Sequence, residues 1–416
     1  MSKSFKAIVL SVSLGLVLFS VIGSLGVYAA NNNNDSAYRQ LGVYSEVLSR
    51  IRNEYVEEPS INHVTDGALH GLLESLDANS SYLTPDEYKD YKAHQAGGKA
   101  DIGAAVSKRF GYAAVIAVLP NSPADKAGMD SGDIIESIEG RGTHDLSLAA
   151  IQSLLSGPAG STVKMEVVRA RRAQPQKLAL TREVVAMPPA TDKVVEEGVG
   201  YIQVEAFNQG KSQEIASKIK DLEKQGGKKF VLDLRNCADG DENEGIATAN
   251  LFLDHGIITY LQGQKYPKQT FNANAAKRVT DLPLVVLVNR GTAGAAEIVA
   301  AAILENARGD VLGDKTFGVG SVQKTIDLPD GSALILSVAK YYSPNGKAIQ
   351  DTAVTPNILL AQKDEDLPLP DDSDNPAPEP DKKKDKGPDD QLRRAIEILK
   401  NPTQKASIGS EAPATK

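Results

Sequence analysis

The stretches LPLVVLVN, residues 282–289, and FVLDLRN, residues 230–236, decide the fold. Each is a nearly continuous apolar run rich in Val, Leu and Phe, without the polar alternation of a strand that faces water. Such runs are typical of central strands covered on both faces. A helical pattern, residues 215–222, precedes the strand at 230–236 and ends at a pair of glycines. This alternation of strand and helix predicts an α/β core for residues 187–360.

Other patterns fill in the core. The segment YIQVEAF, residues 201–207, alternates as a half-buried strand would. The turn LPDG, residues 328–331, separates two apolar runs and predicts a β-hairpin. Near the C-terminus, residues 361–390 are rich in Pro, Asp and Lys, a composition that predicts a disordered linker. Residues 389–400 follow with the pattern of one short amphipathic helix.

Two further regions precede the core. In residues 36–95, apolar residues recur three and four positions apart, which predicts a helical N-terminal region. A second helix is predicted over 64–76 and a third after the turn at 83–88. Residues 96–186 contain short β-rich runs, Pro and Gly turns and one helical stretch at 147–155. The sequence therefore predicts a multidomain α/β protein with a β-rich domain between a helical region and the core.

Composition limits the classes of function. The chain has 416 residues, 41% hydrophobic and 24% charged, as in soluble globular proteins. Its net charge of −8 argues against nucleic acid as a partner, and much of the acid lies in the C-terminal linker rather than on a periodic face. Five histidines are scattered without metal-ligand spacing, so we expect neither a metal nor a cofactor; they are His63, His70, His94, His144 and His255.

The N-terminus predicts export. Lys3 and Lys6 precede an apolar run over residues 7–29 that ends in small residues. A cleaved signal peptide over residues 1–30 is the favoured interpretation, although the run is long enough for an uncleaved membrane anchor. Either reading places the body of the protein in the periplasm or at the envelope. Cys237 is the single cysteine, so no intrachain disulfide can form.

Three stretches together resemble the C-terminal processing peptidases, the S41 family of exported serine proteases with an inserted PDZ domain. The first is LDANSSYLTPDEY, residues 76–88, and the second is NSPADKAGMDSGDIIESIEG, residues 121–140. The third combines VLDLRN, LVNRGTAGAAEIVA, LGDKTFGVGSVQ and YYSPNGKAI within residues 231–349. The resemblance implies an S41 protease-like α/β core, residues 187–360, a PDZ-like domain, residues 96–186, and trimming of C-terminal tails.

The chain departs from this family at its chemistry. The resemblance implies a serine nucleophile where GTAGAAE has Gly294, and a lysine base where TFGVGSVQ has Val319. Of the three family catalytic positions only the glutamine that orients the lysine is kept, as Gln323. The oxyanion turn, DLRNNPGG in the family, reads DLRNCADG here, at Cys237, Ala238, Asp239 and Gly240. A carboxylate at Asp239 opposes stabilisation of a developing oxyanion.

Glycine supplies no nucleophile and valine no base, so we predict an exported pseudoprotease. One alternative keeps activity through relocated groups. The candidate nucleophiles are Thr292, Ser321 and Cys237, and the candidate bases are Lys315 and Lys324. The other alternative is that the chain is an active S41 endopeptidase that trims C-terminal tails of envelope proteins.

The PDZ-like domain is the best candidate for a retained function. Such domains hold a peptide as an added strand and bind its terminal carboxylate on backbone N–H groups of a glycine-containing loop. The resemblance assigns this role to Asp101, Ile102, Gly103 and Ala104, with Leu148 and Ile151 on the helix that lines the groove. Alternatively, the domain only covers the core. The expected partners are protein C-terminal tails or peptides, an active processing peptidase, or further copies in a homo- or hetero-oligomer.

Overall fold

The computed structural model describes residues 38–97, 100–169, 174–196, 198–361 and 389–401. The predicted signal segment and nearly all of the predicted linker lie outside these residues. The chain divides into two compact units, and the first ends at Leu69. No helix among the described residues combines the length and the apolar character that crossing a membrane requires.

The first unit consists mainly of helix. Helix α1 covers residues 38–54, and helix α2, Ile61–Glu74, begins in this unit. The prediction of a second helix is confirmed, but it starts three residues earlier than expected. Ser60 explains the shift, because its carbonyl accepts the N–H of Val64 at 3.0 Å and its hydroxyl accepts the N–H of His63 at 3.4 Å. A serine at the N-cap satisfies donors that would otherwise have no partner.

After the end of α2, the second unit continues with a short strand and a helix, followed by a β-rich domain. In chain order its elements are β1 (Ser81–Leu83), α3 (Pro85–Gly97), β2 (Ala100–Asp101), β3 (Ala104–Arg109), β4 (Tyr112–Val118), α4 (Pro123–Lys126), β5 (Ile134–Ile138), β6 (Arg141–Gly142), α5 (Leu148–Leu155), β7 (Thr162–Val168), β8 (Gln176–Thr181) and β9 (Glu183–Val184).

These strands form an antiparallel sheet in the order β3-β4-β5-β7-β8, with β6 paired to β5 and β2 paired separately to β9. Helix α5 begins at an N-cap, Ser147, whose hydroxyl accepts the N–H of Ala150 at 3.2 Å. The helix predicted at residues 147–155 is therefore confirmed. Within the described residues, β3 bonds only to β4, so one edge of this sheet lies beside α5 without a strand partner.

The core follows. Its elements are β10 (Thr191–Glu196), β11 (Val199–Gln203), β12 (Ala206–Phe207), α6 (Lys211–Lys224), β13 (Lys229–Asp233), β14 (Asp239–Gly240), α7 (Glu242–Asn250), β15 (Ile257–Gln262), β16 (Gln269–Asn272), β17 (Leu284–Val288), α8 (Ala295–Glu305), β18 (Asp310–Gly313), β19 (Ser321–Asp327), β20 (Ala333–Tyr342), β21 (Ile358–Leu359) and α9 (Asp390–Lys400).

The main sheet has the order β10-β11-β13-β17-β18-β21 and is parallel except for the pair β10–β11. One face packs against α6 and α8, and the other against α9. Both apolar runs of the sequence therefore become strands without exposed residues, as predicted. The prediction of a half-buried strand at 201–207 was wrong, because Ile202 faces the α6 side and Tyr201 the α9 side.

A second sheet has the order β1-β20-β15-β16, with β19 paired to β20. The β19–β20 pair is antiparallel and its turn is closed by the N–H of Leu328 bonding the carbonyl of Ser332 at 2.9 Å. Gly331 adopts φ 89°, which only glycine enters readily, so the hairpin prediction is confirmed. Strand β1 pairs with β20 and thereby brings residues 76–83 next to the start of β19.

Candidate functional site

The turn between β17 and α8 carries the first predicted catalytic position. Gly294 is the N-cap of α8, with φ 60° and ψ −121°. This left-handed φ strains any residue with a side chain. A Cβ atom placed at Gly294 would nevertheless meet no atom within 4 Å. The turn therefore has space for a side chain at the position where the resemblance implies a serine.

A buried carboxylate organises this turn. Glu297, in the first turn of α8, has no exposed surface, and its Oε2 atom accepts the N–H of Gly294 at 3.1 Å and of Val319 at 2.8 Å. Its Oε1 atom accepts the N–H of Gly318 at 2.9 Å and the hydroxyl of Thr316. The loop that carries the second predicted catalytic position is thus fixed over the start of α8.

Burial raises the pKa of Glu297 to about 7, although its hydrogen bonds with Thr316, Val319, Gly294 and Gly318 act to lower it. Sequence reasoning missed this residue. The signal was an acid in the first turn of AAEIVAAAILE, a helix whose only other polar residue is Glu305 at its end. A lone charge in such a helix is buried at a high cost unless it is hydrogen-bonded, as it is here.

The loop after Thr316 offers no base at the predicted position. Val319 is half-buried and touches the carboxylate only through its backbone N–H. Gln323 is exposed, and its side-chain amide donates to the hydroxyl oxygen of Ser321 at 2.8 Å. That oxygen also accepts a hydrogen bond from Asn79 at 3.0 Å. Amide groups cannot take the proton of a serine, so this arrangement does not activate Ser321.

The oxyanion turn lies directly beside the turn between β17 and α8, since the N–H of Ala293 donates to the carbonyl of Cys237 at 2.9 Å. Ala238 and Asp239 are half-buried. Asp239 and Gly240 form β14, which pairs in parallel with β12. Gly240 adopts φ 134° and a Cβ there would lie 2.5 Å from the backbone of Phe207, so this position requires glycine.

Burial raises the pKa of the Asp239 carboxyl. This carboxyl lies on the turn that would have to stabilise a negatively charged oxygen. A carboxylate there repels an oxyanion, and a carboxylic acid gives at most one donor. The turn is therefore poorly suited to the transition state of peptide hydrolysis.

The relocated nucleophiles find no activating neighbours. Thr292 has no exposed surface, and its hydroxyl donates to the carbonyl of Leu234 at 2.8 Å and accepts the N–H of Asn289 at 3.0 Å. Burial raises the pKa of the Cys237 thiol well above its usual value, and the charge of Asp239 raises it further. A reactive cysteine needs the opposite shift. The candidate bases Lys315 and Lys324 are exposed at the surface.

The predicted peptide-binding residues fall into two groups. Asp101 and Ala104 are half-buried, and the side chain of Ile102 points into the domain with 1% exposure. Leu148 and Ile151, predicted to line the groove, are buried in the apolar cluster that Leu83 and Ile335 share. Because both are buried in this cluster, the two side chains do not face an open groove.

The PDZ-like domain lies against the oxyanion turn. A cavity of only about 10 Å³ remains between them, lined by Ala105, Leu119, Ala238 and Asp239 among others. That is close to the least space one water molecule occupies. The guanidinium of Arg109, at the end of β3, also lies 5.2 Å from the ring centre of Phe317.

A larger cavity, of about 470 Å³, lies elsewhere, at the end of α6 and the segment 278–282. It is open, and it brings together Glu223, Lys228, Arg278 and Asp281, whose opposite charges offset one another. The side chains that line this cavity do not pair a nucleophile with a base. Within the described part of the chain, no group of three His, Cys, Asp or Glu side chains is arranged to hold a metal ion.

Comparisons with known proteins support the predicted scaffold. The model of peptidase family S41 matches residues 198–360, and a PDZ domain model matches residues 115–169. The carboxy-terminal-processing protease of Bartonella bacilliformis is 31% identical over 345 residues, covering 82% of this chain and 78% of that protein. The carboxyl-terminal-processing protease of Synechocystis is 33% identical over 320 residues, covering 75% of each chain.

A solved structure is similar as well. The photosystem II D1 C-terminal processing protease superposes with a TM-score of 0.63 at 27% identity. The match covers 76% of this chain and 92% of that one. The similarity in sequence and the similarity in structure therefore extend over both the PDZ-like domain and the core.

Proposed function

This chain belongs to peptidase family S41, with the C-terminal processing proteases, and we propose that within that family it is a pseudoprotease. In this proposal the chain keeps the scaffold and binds polypeptide without cleaving it. The observation that carries the proposal is the pair of positions Gly294 and Val319. They converge on one oxygen of Glu297 through their backbones and bring no nucleophile and no base.

The magnitude of the loss supports the proposal. Removal of the nucleophile from a serine protease costs on the order of 10⁶ in kcat, and the residual rate comes from substrate binding and the oxyanion hole. Here the turn that would form the hole carries Asp239 as well. Stabilisation by an oxyanion hole, which would supply the residual rate, is thus weakened in addition to the loss of the nucleophile.

Binding is the function that the remaining parts can still perform. Strand β3 has a free edge within the described residues, and an extended peptide can add to such an edge through backbone hydrogen bonds. The groove between β3 and α5 is packed by residues of the same chain. A ligand that reached α5 would have to displace part of that packing.

We also propose that the protein assembles, with itself or with an active processing peptidase, through helix α1. Its apolar residues Leu41, Tyr44 and Val47 have exposed fractions of 62%, 37% and 49%. A solitary helix of this length is marginal in water unless an apolar face is covered. An exposed face of this kind marks an interaction surface.

Export completes the proposal. The residues that support it are Lys3 and Lys6 and the apolar run over residues 7–29. We expect the body of the protein in the periplasm or at the envelope. Cell fractionation, with N-terminal sequencing of the mature chain, distinguishes a cleaved signal from an anchor, and a cytoplasmic location would contradict this part.

The pseudoprotease proposal is tested with purified full-length protein and unfolded casein, with the Synechocystis relative as positive control. We expect no cleavage and no labelling by a fluorophosphonate probe. The variants Cys237→Ala, Thr292→Ala and Ser321→Ala are assayed in parallel. Cleavage by the wild type that disappears in one of these variants would identify a relocated nucleophile, and the proposal would be wrong.

A further inference from the structure

The loop that would bind a ligand's terminal carboxylate already holds a carboxylate of its own. Oδ1 of Asp101 accepts the backbone N–H of Gly103 at 2.7 Å. Gly103 is the central residue of the loop that sequence reasoning assigned to this role. A peptide carboxylate that used this N–H would have to displace Asp101 first.

The loop has little freedom to offer its N–H group in another direction. The carbonyl of Gly103 accepts the N–H of Leu119 at 2.8 Å, and the carbonyl of Ile102 accepts the N–H of Ala124 at 2.9 Å. Gly103 also adopts φ 76°, with the Cβ of Ser122 only 2.2 Å from where its own Cβ would stand. The backbone is therefore fixed on both sides of the contact with Asp101.

The charge around the loop also disfavours an anion. Asp239, on the oxyanion turn of the core, is close enough for its charge to raise the pKa of Asp101, after the larger effect of burial. Glu205 and Asp239 both line the small cavity beside β3. A free C-terminus would bring a further negative charge to a place that already has carboxylates, at a low effective dielectric.

We propose that Asp101 occupies the position of a terminal carboxylate, so that the groove beside β3 accepts internal extended segments of polypeptide rather than free C-terminal tails. This inference rests on the proposed binding function and changes its ligand class. An internal segment adds to the β3 edge through its backbone and needs no carboxylate contact. Asp101 is then a specificity-determining residue.

The test compares two pools of labelled degenerate hexapeptides that are identical except for their last group. One pool ends in a free carboxylate and the other in a carboxamide, and both are titrated by fluorescence anisotropy into the purified full chain. We expect the wild type to bind the carboxamide pool at least as tightly as the free acid. In Asp101→Gly, affinity for the free acid rises about tenfold or more, because a charge-assisted hydrogen bond becomes available.

Two further variants separate the causes. Asp101→Asn removes the charge and keeps an oxygen that can accept the N–H of Gly103. Its gain in affinity for the free-acid pool should therefore be smaller than that of Asp101→Gly. Asp145→Asn removes an exposed charge from the same domain, where the side chain is 86% exposed, and should change neither affinity. Hydrogen exchange of residues 100–106, followed by mass spectrometry, reports whether the loop stays folded in each variant.

The outcomes are distinct. A wild type that prefers the free acid tenfold or more would overturn the inference and leave the binding function standing. An equal change for both pools in Asp101→Gly, with the loop folded, would also overturn it. Absence of binding by either pool, in every variant, would instead contradict the binding function itself and the inference with it.

Discussion

Gly294 and Val319 donate their backbone N–H groups to the same atom, Oε2 of Glu297, at 3.1 and 2.8 Å. These are the two positions at which the resemblance to the family implies a serine and a lysine. The backbone thus still brings the positions together, although neither side chain can react. The framework of a reaction centre is separable here from its reacting groups, because Glu297 and not the catalytic pair fixes the two loops.

That separation predicts that activity can be rebuilt. The triple variant Gly294→Ser, Val319→Lys, Asp239→Gly should cleave unfolded casein, whereas each double variant should be slower by about 100-fold or more, because each lacks a nucleophile, a base or the oxyanion turn. Space for the serine exists at residue 294. The left-handed φ should make that substitution cost about 1–2 kcal/mol of stability.

Fluorophosphonate labelling and release of dye from labelled casein measure the gain. The matched control replaces serine with alanine, as Gly294→Ala, Val319→Lys, Asp239→Gly, which has the same backbone strain and no hydroxyl. Cleavage by this control at the rate of the triple variant would point to a contaminant. A folded triple variant without activity would contradict the view that the two positions still converge.

Much of this site could be read from the sequence, and the reasons are local. Gly294 and Val319 stand in contiguous segments whose identity does not depend on tertiary structure. Glu297 could not be assigned, because its partners Thr316, Gly318 and Val319 lie about 20 residues away, and only the fold brings them together. The same holds for the charge of Asp239, which raises the pKa of Asp101 in the other domain.

In the fold, too, local features could be predicted and long-range ones could not. Short-range sequence patterns predicted the hairpin at 328–331 and the central strands. They did not predict that both faces of β11 are buried, because α9, the helix that covers its second face, follows far along the chain. Nor could they predict that the cluster that buries Leu148 and Ile151 also includes Leu83 and Ile335, which lie far away along the chain. Periodicity reports one face of an element and says nothing about distant segments that cover the other.

Helix α1 gives a prediction about assembly. Leu41→Glu should shift the protein from oligomer to monomer and so lower the molar mass measured in solution. The reason is that a charge on the apolar face of the helix opposes burial of that face against a partner. Ser49→Glu adds the same charge to an exposed position outside this apolar set and should leave the mass unchanged. Light scattering coupled to size-exclusion chromatography measures both. A monomeric wild type at high concentration would refute self-assembly through α1.

Helix α9 gives a prediction about stability. Its residues Ile396 and Leu399 are buried against the main sheet, and Arg235 anchors its start by donating to both carboxylate oxygens of Asp389, at 3.0 and 2.7 Å. Leu399→Ala should lower the free energy of unfolding by about 2–4 kcal/mol, the range for a leucine deleted from a packed core. Chemical denaturation measures this change.

The control for α9 is Arg394→Ala, which removes a partly exposed ion pair with Glu397 on the same helix and should cost less than about 0.5 kcal/mol. An equal, small effect of both substitutions would mean that α9 contributes little to the stability of the core. In that case its docking would be incidental to the fold.

Glu297 gives a prediction about pH. Its pKa is about 7 in the folded protein, against 4.5 for the ordinary group. Between these values the folded state holds a proton that the unfolded state has released, so raising the pH favours unfolding. The contribution of Glu297 is full below about pH 4.5, falls as the pH rises, and is lost above about pH 7. The total loss should be on the order of 3 kcal/mol.

Other acids titrate in the same range, so the measured quantity is the difference between two proteins. The free energy of unfolding is determined from pH 4.5 to 7.5 for the wild type and for Glu297→Gln, which does not titrate. Glutamine turns an NH₂ group toward backbone donors and is expected to be less stable at every pH by about 1–3 kcal/mol. The diagnostic result is the slope: the wild type should lose stability more steeply with rising pH than the variant. Parallel curves would mean that Glu297 keeps its proton affinity unchanged on folding, and that the four donors around it offset its burial completely.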